Sequence, residues 1–174
     1  MTAQLQFTTH NVAETVAFGT ALGALLERGD VVCLSGDLGA GKTALARGIA
    51  AGWGVREAVN SPTYIFIHEY ERHGRGSGER LYHVDAYRLS SEADAMSIGL
   101  EDLLAGEGVV LLEWPERVLP LLPTERLWID IETPADADQS RQFSLEVQGT
   151  DSAHFDALLA TLARQLPPSG ELAQ

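Results

Sequence analysis

Three glycines, one lysine and one hydroxyl stand at a telling spacing in Gly36-Asp37-Leu38-Gly39-Ala40-Gly41-Lys42-Thr43. A polyphosphate needs many donors in a small space. Glycines at 36, 39 and 41 let successive backbone N–H groups turn toward one anion without a Cβ clash. A helix opening at Lys42 adds unpaired N–H groups and the positive end of its dipole. Lys42 then reaches the β- and γ-phosphates, and the Thr43 hydroxyl holds Mg²⁺. Lys42 is also the sole lysine among 12 basic residues. Arginine, a rigid planar fork, does not replace a compact ammonium threaded beneath such a loop.

The flanking elements suit that reading. The apolar run Val31-Val32-Cys33-Leu34 precedes the loop and reads as a central strand covered on both faces, and a helix follows as far as Gly52-Trp53-Gly54. Upstream, Leu5 to Thr8 reads as a short strand. The apolar positions Val12, Val16, Leu22, Leu25 and Leu26 predict an amphipathic helix ending at Gly29, capped by Thr9 or Asn11. Thr8 to His10 also lie where they could touch a nucleotide base, with Thr9 the candidate.

Two later strands end in acids. Leu81 to Val84 leads into Asp85, with Arg88 three residues on, and Gly108 to Leu112 leads into Glu113. In the second, four apolar residues and then an acid is the pattern that positions a carboxylate, Glu113, on Mg²⁺ beside a phosphate loop. Trp114 follows, with two roles open: cover over the site or a partner surface, and ordinary core packing. Ser61-Pro62-Thr63 is either a sensor of the γ-phosphate or a simple turn. The stretch 71–80, with Arg72, Arg75 and Arg80, is the loop of a hairpin and could act as a lid, a partner patch or plain solvated chain. Leu127 to Ile131 and Gln142 to Val147 alternate with period two and suit outer, antiparallel strands. Phe155, Leu158, Leu159 and Leu162 mark a C-terminal helix. The expected organisation is one domain over 1–165 and a flexible tail over 166–174.

Composition narrows the classes. With 174 residues, 45% of them apolar, the chain can bury one continuous core. No run is long enough to span a bilayer and the N-terminus lacks a signal-peptide pattern, so a cytoplasmic location without membrane association is expected. Cys33, the single cysteine, reads as a buried structural thiol. The net charge of −13 is uneven: residues 1–90 carry 9 acids against 8 bases, whereas 91–129 and 130–174 each carry 8 against 2. Such an acidic second half argues against strong direct binding of nucleic acid.

Four elements, taken in order, resemble the bacterial TsaE (YjeE) family, the ATPase component of tRNA threonylcarbamoyladenosine synthesis. They are the loop at 36–43, Ser61-Pro62-Thr63-Tyr64 with His68-Glu69-Tyr70, His83-Val84-Asp85-Ala86-Tyr87-Arg88-Leu89, and Leu112-Glu113-Trp114-Pro115-Glu116. The likeness spans roughly residues 5–147. It implies a three-layer α/β fold of the P-loop NTPase kind, with a mixed β-sheet flanked by helices. It implies ATP held by Asp37, Leu38, Gly39, Ala40, Gly41, Lys42, Thr43 and Ala44, with Thr9 added from its position. Thr43 and Glu113 are the implied Mg²⁺ ligands, and Asp85 and Lys42 the catalytic pair. The implied partners are TsaB and TsaD, with tRNA reached only through them. Ala44, Ile65 and Ala86 depart from residues usual in the family. Two rival readings remain: a small-molecule kinase with an arginine lid, and a nucleotide-sensing scaffold whose hydrolysis is incidental. A GTPase is disfavoured because no Asn-Lys-x-Asp stretch can exist to read guanine once the one lysine is used.

Overall fold

The computed structural model describes residues 4–60, 66–74, 78–135, 139–150 and 153–166. Seven strands form one sheet: β1 (Gln4–Thr9), β2 (Val31–Ser35), β3 (Ile67–Glu71), β4 (Arg80–Asp85), β5 (Val109–Glu113), β6 (Arg126–Glu132) and β7 (Arg141–Gln148), in the order β1-β7-β6-β2-β5-β4-β3. The centre is parallel, β2 pairing with both β5 and β6, and β4 with β5; β1, β3 and β7 pair antiparallel with their neighbours.

β2 alternates its side chains between two cores, as a pleated strand buried on both faces must. Val32 and Leu34 join the core beneath α1 (Val12–Gly23), α2 (Lys42–Trp53) and α5 (Ala153–Gln165), while Val31 and Cys33 join the core beneath α3 (Glu92–Ser97) and α4 (Leu100–Leu104). The result is the expected three-layer α/β arrangement. Burial pushes the Cys33 thiol up to about 12, which suits a structural role. Among the described residues, no helix is long and apolar enough to cross a membrane.

Three expectations change. The helix expected to run to Gly29 ends at Gly23, because the chain then tightens into turns (Leu25 N–H to Leu22 O, Leu26 N–H to Gly23 O). Its buried face is Thr15, Phe18, Gly19, Leu22 and Gly23, with Val12 exposed. That face is set by contact with α2: a Cβ on Gly19 would lie 2.6 Å from the Leu45 carbonyl, and one on Gly48 2.3 Å from the Val16 carbonyl. Glycine supplies the close approach that the apolar stripe alone does not reveal. Of the two candidate caps, Asn11 is the one used: its side chain accepts from Glu14 N–H (2.9 Å), and the Glu14 carboxylate takes His10 N–H.

β6 is the second change. Instead of an outer antiparallel strand, it lies beside the central β2 and parallel to it, with β7 and β1 completing the edge. Its alternating burial reports one well-covered face and is silent on which neighbour it takes. The third change is at the end of the domain. Leu166 bonds back to Leu162 and packs against the core, so it belongs to the domain; 167–174 lie outside the described residues.

Candidate active site

The parallel centre brings the C-terminal ends of β2, β5 and β4 to one edge, where α/β sheets place ligands. β2 ends at Ser35 and runs into the glycine loop. Gly39 (φ +80°) and Gly41 (φ +105°) take the left-handed conformation that the loop requires, and Gly41 is the N-cap of α2. Lys42, the first residue of α2, is only 5% exposed. Its ammonium donates to the carbonyls of Gly36 (2.6 Å) and Asp37 (2.8 Å), which hold it beneath the loop. Burial lowers its pKa, opposed by Glu113, Glu116, Asp85 and Asp37.

Asp85 and Glu113 are directly opposite each other across the β4–β5 ladder. The Ala86 N–H bonds the Glu113 carbonyl and the Trp114 N–H bonds the Leu34 carbonyl, tying the three strand ends together. Asp85 is buried and accepts the Tyr87 N–H at Oδ1 (2.9 Å). Its pKa is raised: burial is the main cause and Glu113 adds to it, while the Tyr87 bond, His83 and Lys42 oppose. Glu113 Oε1 accepts from the Thr43 hydroxyl (3.2 Å) and lies 2.8 Å from His83 Nε2.

Trp114 covers the site. It is the one non-glycine residue with positive φ among those described (+60°), a conformation that costs on the order of 1–3 kcal/mol. The strained turn folds the indole back over Lys42, whose Nζ lies 3.9 Å from the ring centroid, and Tyr87 packs against Trp114 at a tilt, with ring centroids 4.8 Å apart. Lys42, Thr43, Asp85, Arg88, Glu113 and Trp114 share a cavity of about 280 Å³ with the loop residues Leu38, Gly39 and Gly41. A hollow of about 420 Å³ on the β6 side of the loop is lined by Gly36, Asp37, Asp130 and Glu132 without a cation, and one of about 320 Å³ lies at Arg47 and Glu57 away from the loop.

Thr43 and Glu113 supply hard oxygen donors within 3.2 Å of each other. Among the described residues no three His, Cys, Asp or Glu side chains form a cage of their own. Such a set fits Mg²⁺, which keeps waters and takes phosphate oxygens alongside one or two protein ligands.

The remaining expectations divide. Asp37 and Leu38 form the exposed tip of the loop, Ala40 is buried with its N–H bonded to the Asp37 carbonyl, and Ala44 lies in the first turn of α2. Thr9 sits on the flank away from the carboxylates, 4% exposed, its hydroxyl 2.8 Å from that of Thr15. Arg72 and Arg80 make no lid. They lie where β3 ends and β4 begins, at the other end of β4 from Asp85, where Arg72 pairs with Glu79 and stacks on Trp53, and Arg80 pairs with Glu69 and Glu71. Arg75 and the Ser61-Thr63 turn lie outside the described residues.

Two residues that the sequence reading did not assign to the site also touch it. His83 is fully buried, two positions before Asp85 and so on the same strand face. Arg141 donates to the loop carbonyl of Ala40 (2.8 Å) from β7. Period two was the available signal for His83; no local signal marks Arg141.

Comparison with known proteins agrees with this geometry. A family model described as Threonylcarbamoyl adenosine biosynthesis protein TsaE matches residues 9–143. The tRNA threonylcarbamoyladenosine biosynthesis protein TsaE of Treponema pallidum is 42% identical over 126 residues, covering 72% of this chain and 90% of that protein. The protein of the same name from Bacillus subtilis is 40% identical over 141 residues, covering 81% and 85%. A crystal structure of Bacillus subtilis YdiB superposes with a TM-score of 0.77 at 34% identity, covering 95% of this chain and 97% of that one. With the loop, the two strand-end acids and these relatives in agreement, the chain belongs to the TsaE family.

Proposed function

We propose that this protein is the ATP-binding and ATP-hydrolysing component of the machinery that makes threonylcarbamoyladenosine in tRNA, working with TsaB and TsaD. The observation that carries the reading is the meeting of Lys42, Asp85 and Glu113 at the mouth of one glycine loop.

The loop amides and the start of α2 take the phosphates, and Lys42 exchanges a carbonyl contact for the β–γ bridge, where negative charge develops. Thr43 and Glu113 would hold Mg²⁺, which would supply charge neutralisation on the terminal phosphates. Asp85 orients the attacking water. Its Oδ1 is engaged by the Tyr87 amide, so Oδ2 is the oxygen that takes the water proton, and its raised pKa suits it to hold one. The water oxygen bonds to the γ-phosphorus, the bridge bond breaks, and its electron pair leaves on ADP. Trp114 and Tyr87 limit the entry of other water.

The acidic second half fits a chain that leaves the tRNA to its partners. The test is ATP turnover and tRNA modification in the assembled system with TsaB, TsaD and tRNA, for the wild type and Asp85→Asn. Loss of both in the variant, with ADP still bound, supports the reading. Modification sustained by Asp85→Asn points instead to a nucleotide sensor, and a phosphorylated small molecule among the products points to a kinase.

A further inference from the structure

We infer that Arg141 is a positioning residue for the nucleotide, acting by aiming the Gly41 amide into the phosphate cradle. The inference rests on the reading of that loop as a phosphate site.

Arg141 is the first residue of β7, which runs antiparallel to β6, itself parallel to β2. The start of β7 therefore lies level with the end of β2, beside the loop. From there Arg141 Nε donates to the Ala40 carbonyl (2.8 Å) and a terminal nitrogen approaches the Gly39 carbonyl at 3.4 Å. Another terminal nitrogen donates to the Ser140 carbonyl at 2.7 Å, which fixes the fork against its own strand. A Cβ placed on Gly41 would lie 3.7 Å from Arg141 Nε, so the guanidinium lies over this glycine.

A trans peptide is planar, with its C=O and N–H antiparallel. Holding the Ala40 carbonyl toward Arg141 fixes the Gly41 N–H in the opposite direction. The preceding peptide is fixed too, since the Ala40 N–H bonds the Asp37 carbonyl. Gly39 and Gly41 both have positive φ and, as glycines, weak intrinsic preference. Unbraced, the Ala40–Gly41 peptide can flip, setting a carbonyl where a phosphate oxygen must sit. Arg141 thus trades its bonds to two carbonyls for a preformed donor.

The experiment titrates Mg-ADP and Mg-ATP into wild type, Arg141→Met and Arg141→Lys by calorimetry, with Gly41 amide NMR shifts and melting temperatures alongside. The expected result is a loss of about tenfold in affinity for Arg141→Met, the scale of one charge-assisted hydrogen bond. Arg141→Lys recovers only part of it, because a point donor does not reproduce the fork. The Gly41 amide shift on adding ADP shrinks in Arg141→Met even at saturation, and in turnover the loss falls on KM more than on kcat. Unchanged affinity in a folded Arg141→Met overturns the inference, as does full recovery in Arg141→Lys, which would leave charge alone as the cause. Should Arg141→Met not fold, Arg141→Lys decides: wild-type affinity and an unaltered Gly41 shift overturn the inference, and a partial loss of both supports it. If wild-type protein binds neither nucleotide, the phosphate-site reading itself fails.

Discussion

The glycine loop is approached from two flanks that do different work. On one, the parallel strands β4 and β5 end in Asp85 and Glu113, buried acids set opposite each other with His83 behind them. On the other, the antiparallel β7 begins with Arg141, whose donors reach the loop carbonyls of Ala40 and Gly39. The acid flank concentrates charge that is uncomfortable in the folded protein; the arginine flank relieves carbonyl dipoles and sets backbone direction. Reactive groups are delivered by strand ends and rigid donors by a strand start, so chemistry and grip are separable on this fold.

Lys42 joins the two flanks, and its loss should have the largest effect. Lys42→Ala removes the cation proposed to meet the β–γ bridge, and turnover should fall by about 10²–10³-fold or more, the scale of one lost transition-state donor. Nucleotide affinity falls with it. Asp85→Asn comes next and separates the flanks: turnover drops about 10²–10⁴-fold, as for a lost general base, while ADP affinity stays within about threefold. Calorimetry beside single-turnover kinetics checks both. If Asp85→Asn weakened ADP as much as Arg141→Met does, the division between chemistry and grip would collapse.

His83 sharpens the acid side of the comparison. Its Nε2 and the Thr43 hydroxyl both meet Glu113 Oε1, so the ring fixes how the carboxylate is presented. Groups that orient a metal ligand in this way are worth about 10–100-fold in metal affinity. His83→Leu should therefore raise the Mg²⁺ concentration needed for half-maximal ATP binding by about that factor, and His83→Gln, which keeps a donor at a similar reach, should recover most of it. Metal-free ADP binding should be unaffected in both. A His83→Leu protein with wild-type Mg²⁺ dependence would reduce His83 to core packing.

The same contrast explains what could be read from the chain. Asp85 and Glu113 were legible because a run of apolar residues announces a buried strand and the acid that stops it must emerge at the sheet edge. The loop was legible because its glycines serve local geometry. Arg141 was not, since its partner lies 101 residues away and the contact exists only once β7 is laid beside β6. The order of β6 escaped for a related reason: alternation fixes which face is buried and leaves the neighbour open. The packing of α1 escaped because Gly19 and Gly23 look like weak points in a helix until the backbone of α2 is brought against them, Gly48 at Gly19 and Ile49 at Gly23.

The smallest effect expected is on stability, and it falls on one flank and not the other. Asp85 is held above its ordinary value of 3.8, chiefly by burial. Below 3.8 the carboxyl is protonated in both folded and unfolded chains and costs nothing. As pH rises from there to the folded pKa, the folded protein carries the extra proton, so stability declines; above that window the full cost of a buried carboxylate persists. Asp85→Asn removes the cost, so its melting temperature at pH 7 should exceed that of the wild type by about 2–4 °C for each kcal/mol recovered, and the gain should vanish near pH 3. Lys42, lowered from 10.5 by burial, costs stability below its folded pKa and less as pH rises through it, so Lys42→Met should also gain at pH 7. Arg141→Met removes bonds to the Ala40 and Gly39 carbonyls and should gain nothing at any pH. Melting curves of the three variants from pH 3 to 9 check the contrast, and a gain in Arg141→Met equal to that of Asp85→Asn would show both flanks strained for function in the same way.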